Sequence, residues 1–360
     1  MSEPGEGGRR IGIAGVGAIA LGCAAWLRAR GHRITLWAPR GPQSHPLATQ
    51  PLQASGVLEG RFEVGVADDA RDLCSGSEVI LIAVPANGHR AVMDRLTPHL
   101  SESHVVIVSS MASLSSLYLY EALKRRGRDV TVAAFGTTVL TARRESSARV
   151  RIMTRRGLLG VSALPRARTE AAVQLCTELF GDGFVPHENA LATALTNINP
   201  AAHGPLALFN WTRIERAEAW PQYHYMTPRV SAVIERLDAE RLALARAFGV
   251  TVRSIGQHFA QSFGTTSERL ADIAAELHAK RGGPPGPTDT GTRFLTEDVP
   301  FGLVFCAALG QIAGVPMPAT QTIIDAAALI VGRDFAQDND LIGPLGLHET
   351  SPEALLERVA

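Results

Sequence analysis

A chain of 360 residues, 46% hydrophobic and 19% charged, is too long for one ordinary core and too apolar to stay disordered, so two globular domains are expected. Lys plus Arg and Asp plus Glu number 35 each, and the resulting formal net charge of zero excludes a general attraction to nucleic acid or to an anionic membrane. Cys23, Cys74, Cys176 and Cys306 are scattered without a C-x-x-C pair, which argues against a zinc site or any other metal site and against a disulfide framework. Free thiols in a reducing cytoplasm are the expectation.

The first residues, MSEPGEGGRR, read as a polar tail without the apolar core of a signal peptide. Ile11-Gly-Ile-Ala14 is a short apolar run that reads as a buried strand entering a glycine-rich turn. Residues 18–30 read as a helix stopped by Gly31, and Arg33–Trp37 as a second strand. This is a β-turn-α-β unit within about 30 residues. Val79–Val84, Val105–Val108 and Val130–Ala134 continue as strands, with helices near 88–97 and 114–126. Strands alternating with helices predict a Rossmann-type, doubly wound parallel sheet over residues 1–188. From residue 189 to 360 the texture is helical, with helices predicted at 190–196, 226–248, 265–280, 300–313 and 318–332, and a breaker at 281–287 (RGGPPGP). The expected fold is thus α/β, a dinucleotide-type domain followed by an all-α domain. No apolar stretch reads as a membrane span.

The first turn is Gly15-Val-Gly17-Ala18-Ile-Ala20, a G-x-G-x-x-A pattern. Gly15 permits the tight turn, Gly17 lets the backbone approach a pyrophosphate, Ala18 opens the helix beneath it, and Ala20 lets helix and strand pack closely. The pattern is weak alone, but here it follows a strand and opens a helix, as coenzyme binding requires. The second strand ends Leu36-Trp-Ala-Pro-Arg40, with no carboxylate for ribose hydroxyls. Arg40 is placed to pair with a 2′-phosphate, so NADPH is expected over NADH, unless Arg40 is only a solvated loop charge. Pro85, after the strand at 79–84, is expected beside the nicotinamide half.

Two stretches carry catalytic candidates. In Thr196–Pro205 (TNINPAAHGP), His203 is either a proton-transfer group or a satisfied core histidine. In Thr292–Gly302 (TRFLTEDVPFG), Glu297 and Asp298 precede Pro300 and equally suit a helix start. Arg143 and Arg293 are candidate binders of a substrate carboxylate, or structural charges. Asn199 either reaches a ligand or caps a helix beginning at Pro200.

These segments resemble the octopine/opine dehydrogenases. The resemblance covers most of the chain and rests on GVGAIA, NINPAAHGPL, VIERLDAERLALARAFGV (233–250) and RFLTEDVPFGLV (293–304). It implies reductive coupling of an amino acid or other amine with a 2-oxo acid through an imine. His203 matches the family histidine and Asp298 its aspartate. Phe135–Arg143 and Trp220–Pro228, which include the candidate substrate contact Tyr223, depart from the family pattern and imply unusual substrates. By analogy the chain is expected to be a homodimer acting on small molecules. Two alternatives stand beside this reading. One is a ketone or 2-oxo acid reductase of the ketopantoate reductase or 3-hydroxyacid dehydrogenase type, many of which use a lysine; here only Lys124 and Lys280 occur, in no catalytic motif. The other is a non-catalytic NADP sensor.

Overall fold

The computed structural model describes residues 8–360; residues 1–7, most of the polar tail, lie outside them. The chain divides into two compact units. The first runs to Ala194 and includes Arg358–Ala360, and the second is Leu195–Glu357. The change of sequence texture puts the division a few residues earlier, between 188 and 189.

The first unit contains strands β1 (Arg10–Ala14), β2 (Arg33–Trp37), β3 (Leu52–Gly56), β4 (Gly60–Phe62), β5 (Gly65–Val66), β6 (Val79–Ile82), β7 (Val105–Val108), β8 (Thr131–Phe135), β9 (Leu140–Ser146), β10 (Arg149–Arg155), β11 (Leu159–Leu164) and β12 (Phe184–Pro186). Its helices are α1 (Ala18–Ala29), α2 (Ala70–Ser75), α3 (His89–Leu96), α4 (Ser115–Arg125), α5 (Thr169–Phe180) and α6 (Ala190–Leu195). The main sheet has eight strands in the order β12-β11-β8-β7-β6-β1-β2-β5. From β8 to β5 the neighbours pair in parallel. All four residues of β6 are buried, as expected of a parallel strand covered on both faces. The strand order reverses between β6 and β1, which leaves a crevice at their carboxyl ends.

The doubly wound parallel sheet expected from the sequence is present, with one antiparallel neighbour added at its edge, since β11 runs antiparallel to β8. A second sheet, β4-β3-β10-β9, was not foreseen. Its strands are short, broken by Gly56 and Gly60, or rich in arginine (LTARRES, RVRIMTR), so the alternation that marks a strand is hard to see. In β10 only Val150 and Ile152 are buried. These inward residues face α1. A Cβ placed on Gly22 would lie 3.2 Å from that of Ala142. Helix α1 is therefore covered on two sides, which accounts for its run of small residues, with Ala20, Gly22, Cys23, Ala24 and Ala25 all buried. β6 also ends two residues earlier than predicted, at Ile82 rather than Val84.

Among the described residues the regular elements of the second unit are helices, with one isolated bridge between Pro221 and Pro285. They include α7 (Asn199–Leu208), α8 (Trp211–Glu215), α9 (Gln222–Tyr225), α10 (Pro228–Ala247), α11 (Ile255–Phe263), α12 (Leu270–Arg281), α13 (Arg293–Thr296), α14 (Phe305–Ala313) and α15 (Pro318–Val331). Between α13 and α14 the chain takes a π-helical turn, Val299–Val304. The carbonyl of Pro300 in this turn is bonded by the buried side chain of Asn339 at 2.8 Å. The helix predicted at 265–280 starts at Leu270, and α11, capped by Ser254 and Gln257, went unread. The stretch Arg293–Ala313 is long and apolar enough to cross a membrane by length and composition alone, yet 61% of its window is buried inside the protein. That burial fits a helix at the centre of a bundle.

The long helix α10 carries a buried ion pair. Asp238 Oδ1 accepts from Arg241 Nε at 3.0 Å, and Asp238 Oδ2 accepts from the Ile255 amide at 2.9 Å. Arg241 also donates to the carbonyls of Leu195 and Arg253. Each nitrogen of Arg241 and each oxygen of Asp238 has a hydrogen-bond partner, which offsets the cost of burying the charges.

Candidate active site

In the first unit, a cavity of about 330 Å³ lies at the carboxyl ends of β1, β2 and β6. Gly15, Gly17, Arg40 and Pro85 line it, together with Ala38, Val84 and Gln43. Gly15 has φ +136°, and a Cβ there would lie 2.4 Å from the Ala83 carbonyl oxygen, so only glycine fits. Its amide donates to the Trp37 carbonyl at 2.8 Å and ties the turn to β2. A Cβ on Gly17 would meet nothing within 4 Å, which leaves backbone open to an incoming group. Gly17 is also the N-cap of α1, whose first turn holds no carboxylate and no side-chain cap. Its amide hydrogens and the positive end of its dipole remain for an anion. Ala20 packs close to Gly15, as expected. Ala18 opens α1 but does not line the cavity.

Among the described residues no carboxylate lines the cavity, and three arginines do: Arg40, Arg95 and Arg144. Arg95 donates from Nη1 to the Pro39 carbonyl at 2.6 Å and stands 5.4 Å over the Trp37 ring. It comes from α3 and Arg144 from β9. Neither was singled out in the sequence, since nothing in local spacing links them to the glycine turn. Arg143, the residue that was singled out, points to the other face of β9, exposed and opposite Arg151.

Beneath this turn lies His89, fully buried. A carbonyl can only accept, so its Nε2 donates to Val84 O (3.2 Å) and its Nδ1 accepts from the Ser115 hydroxyl (2.9 Å). Burial lowers its pKa to about 4, which keeps it neutral. Burial likewise pushes the thiols of Cys23, Cys74, Cys176 and Cys306 up to about 12, so none is a nucleophile at neutral pH.

In the second unit, His203 on α7 meets Asp298, which stands between α13 and the π-helical turn. His203 Nδ1 donates to Asp298 Oδ2 at 2.8 Å. Their side chains are 14% and 8% exposed. A carboxylate only accepts, so Nδ1 carries the hydrogen and the neutral ring presents Nε2 as a base. Among the described residues Nε2 makes no hydrogen bond. The ring of Phe294 lies flat on the imidazole, centroids 3.7 Å apart and planes 3° apart. Helix α7 and the π-helical turn approach closely because Gly302 faces Pro200 and Gly204 faces Leu303. The structure thus brings together the two residues predicted as a pair, though 95 positions separate them.

Other sequence candidates fall elsewhere. Asn199 is the first residue of α7 and its amide donates to Asn197 Oδ1 at 3.1 Å; the N-cap position is held by Ile198, not by Asn199. Arg293 begins α13 and is exposed. Tyr223 packs against Gly283 and edge-on to Phe259 at 6.0 Å. Groups of His, Cys, Asp or Glu able to hold a metal ion are absent among the described residues.

Residues 186–331, which span both His203 and Asp298, match the family model "NAD/NADP octopine/nopaline dehydrogenase, alpha-helical domain". This segment of the chain carries the helical domain of the opine dehydrogenases. Residues 10–113 match a second model, "NADP oxidoreductase coenzyme F420-dependent". An opine dehydrogenase of Arthrobacter sp. (strain 1C) is 27% identical, with 93% of this chain and 94% of that protein covered. Octopine dehydrogenase solved with NADH and L-arginine is similar at a TM-score of 0.80 and 17% identity, covering 97% of this chain and 98% of that one. Yersinopine dehydrogenase solved with NADP+ gives 0.71 and 19%, covering 95% and 98%. The glycine turn, open helix end and cavity of the first unit have the form that suits a dinucleotide.

Proposed function

We propose that the protein is an NADPH-dependent opine dehydrogenase, which joins an amine or amino acid to a 2-oxo acid through an imine and reduces it to a secondary amine. The observation that carries this reading is the bond from His203 Nδ1 to Asp298, which leaves Nε2 free for a substrate. When bound, the coenzyme supplies the hydride. The protein supplies position and proton transfer. Neutral at Nε2, His203 takes a proton from the substrate ammonium and frees the amine to attack; the imidazolium then gives that proton to the keto oxygen as the C–N bond forms. It next takes a proton from the nitrogen of the adduct and returns it to the hydroxyl that departs as water, which leaves the protonated imine. Asp298 holds the ring in this tautomer and balances the positive charge on it. Arg293 and Arg143 remain candidates for substrate carboxylates, and Asn199 and Tyr223 for other substrate contacts, on the strength of residue type alone.

Three arginines and no acid around the cavity favour a 2′-phosphate, and hence NADPH over NADH. The reading extends to a cytoplasmic homodimer. Four unpaired cysteines suit a reducing compartment, and closed two-fold symmetry is the commonest assembly.

The test is NADPH oxidation with pyruvate, alone and with a panel of L-amino acids and agmatine, with the product identified by mass. Oxidation that requires the amine and yields a secondary amine supports the proposal. Oxidation by pyruvate alone, yielding a hydroxy acid, replaces it with a simple ketone reductase.

A further inference from the structure

We infer that Phe294 is a positioning residue of the reaction: its ring is the platform that holds the imidazole of His203 in its working orientation. The inference rests on the reading of His203 as the proton-transfer group.

A histidine held by one hydrogen bond at Nδ1 is fixed in distance but not in plane. The ring can still rock about the axis of that bond and swing Nε2 through an arc. A proton moves well only when donor and acceptor lie about 2.6–3.2 Å apart and aligned, so such rocking costs rate. Asp298 supplies the bond at 2.8 Å. Phe294 supplies the missing restraint, since two flat rings 3.7 Å apart and 3° from parallel leave no room to tilt on that side. Parallel stacking is less favoured for neutral aromatic pairs than offset or edge-on contact, and among the described residues Phe135, Phe180 and Phe184 meet one another, Trp220 meets Tyr225 and Tyr223 meets Phe259 in tilted or edge-on contacts. The stack at His203 therefore departs from ordinary core packing. Phe294 is itself well supported. It is 6% exposed, on a short helix that begins with the side-chain cap of Thr292 on its own amide (3.3 Å) and leads directly to Asp298. One segment of chain thus carries both restraints on the ring and leaves Nε2 as its open position. The contact also covers one face of the imidazole against water.

Phe294→Leu keeps an apolar side chain but removes the flat face, and Phe294→Tyr keeps it. With NADPH, pyruvate and the amine that gives the fastest turnover, Phe294→Leu is expected to lower kcat roughly tenfold. KM values and NADPH affinity should stay within about threefold, and Phe294→Tyr should restore most of the rate. The variants are to be run beside His203→Gln and the double variant. If Phe294 acts through the histidine, Phe294→Leu costs little further in the His203→Gln background. Wild-type kcat in Phe294→Leu, or a loss in Phe294→Tyr as large as in Phe294→Leu, overturns the inference while leaving the proton-transfer role intact. Undiminished turnover in His203→Gln overturns that underlying role instead.

Discussion

His203 has one nitrogen committed to Asp298 and one available, and the first expected outcome follows from that division of labour. His203→Ala should lower turnover at least a hundredfold, the range for loss of a general acid or base, with NADPH binding nearly unchanged because the glycine turn lies in the other unit. Steady-state kinetics with coenzyme titration by fluorescence reads both quantities. Comparable turnover in the variant would remove the histidine from the mechanism. At the cavity beside the glycine turn, Arg40 is exposed, whereas Arg95 is held by the Pro39 carbonyl and the Trp37 ring. A charge-assisted contact to a phosphate is worth about 1.5–3 kcal/mol, so Arg40→Ala should raise the KM for NADPH about tenfold or more and leave that for NADH nearly unchanged. Equal effects on both coenzymes would assign Arg40 to the common part of the dinucleotide or to the surface.

Among the elements, the contact between α7 and the π-helical turn matters most, because it carries the dyad. An alanine Cβ at 302 would lie 2.1 Å from Pro200 Cγ, and neither the proline ring nor the helix can yield cheaply. Gly302→Ala should therefore cost about 1–3 kcal/mol in denaturant unfolding and reduce turnover as the two elements part. A variant as stable and as active as the parent would show the contact to be slack. The first βαβ unit was legible in the sequence because each of its signals is local: an apolar run, a glycine turn, a helix and a second strand. The His–Asp pair was legible only by resemblance, since no local spacing connects residue 203 to residue 298. Phe294 stood inside a quoted motif, but its stacking depends on how α13 lies against α7, which periodicity does not encode. The second sheet stayed hidden because arginines fill its outward positions. Arg95 and Arg144 stayed hidden with it, because they reach the cavity from a helix and a strand far from the glycine turn in sequence.

For the molecule as a whole, the buried His89 links stability to acidity. Its native pKa, about 4, lies below the 6.5 of an unfolded histidine. Between those values the unfolded chain binds a proton that the native protein refuses, so stability falls as pH falls. The contribution is fully present above about pH 6.5 and is lost by about pH 4, a difference of about 3 kcal/mol at 1.36 kcal/mol per pKa unit. Urea unfolding at pH 7 and pH 5, repeated on His89→Gln, measures it. An unchanged pH slope in the variant would assign the acid sensitivity to other groups. Protonation at Nδ1 leaves the Nε2 bond to the Val84 carbonyl in place and removes the lone pair that accepts from the Ser115 hydroxyl.

The cysteines have a practical corollary. Cys23, Cys74 and Cys176 are enclosed, and all four sulfurs keep their protons far above physiological pH. Maleimides and iodoacetamide attack thiolates, so the native chain offers them almost nothing while it stays folded. A cysteine introduced at an exposed turn position such as Glu102 would then be the one site that takes a dye or spin label, with no need to strip out the natural four.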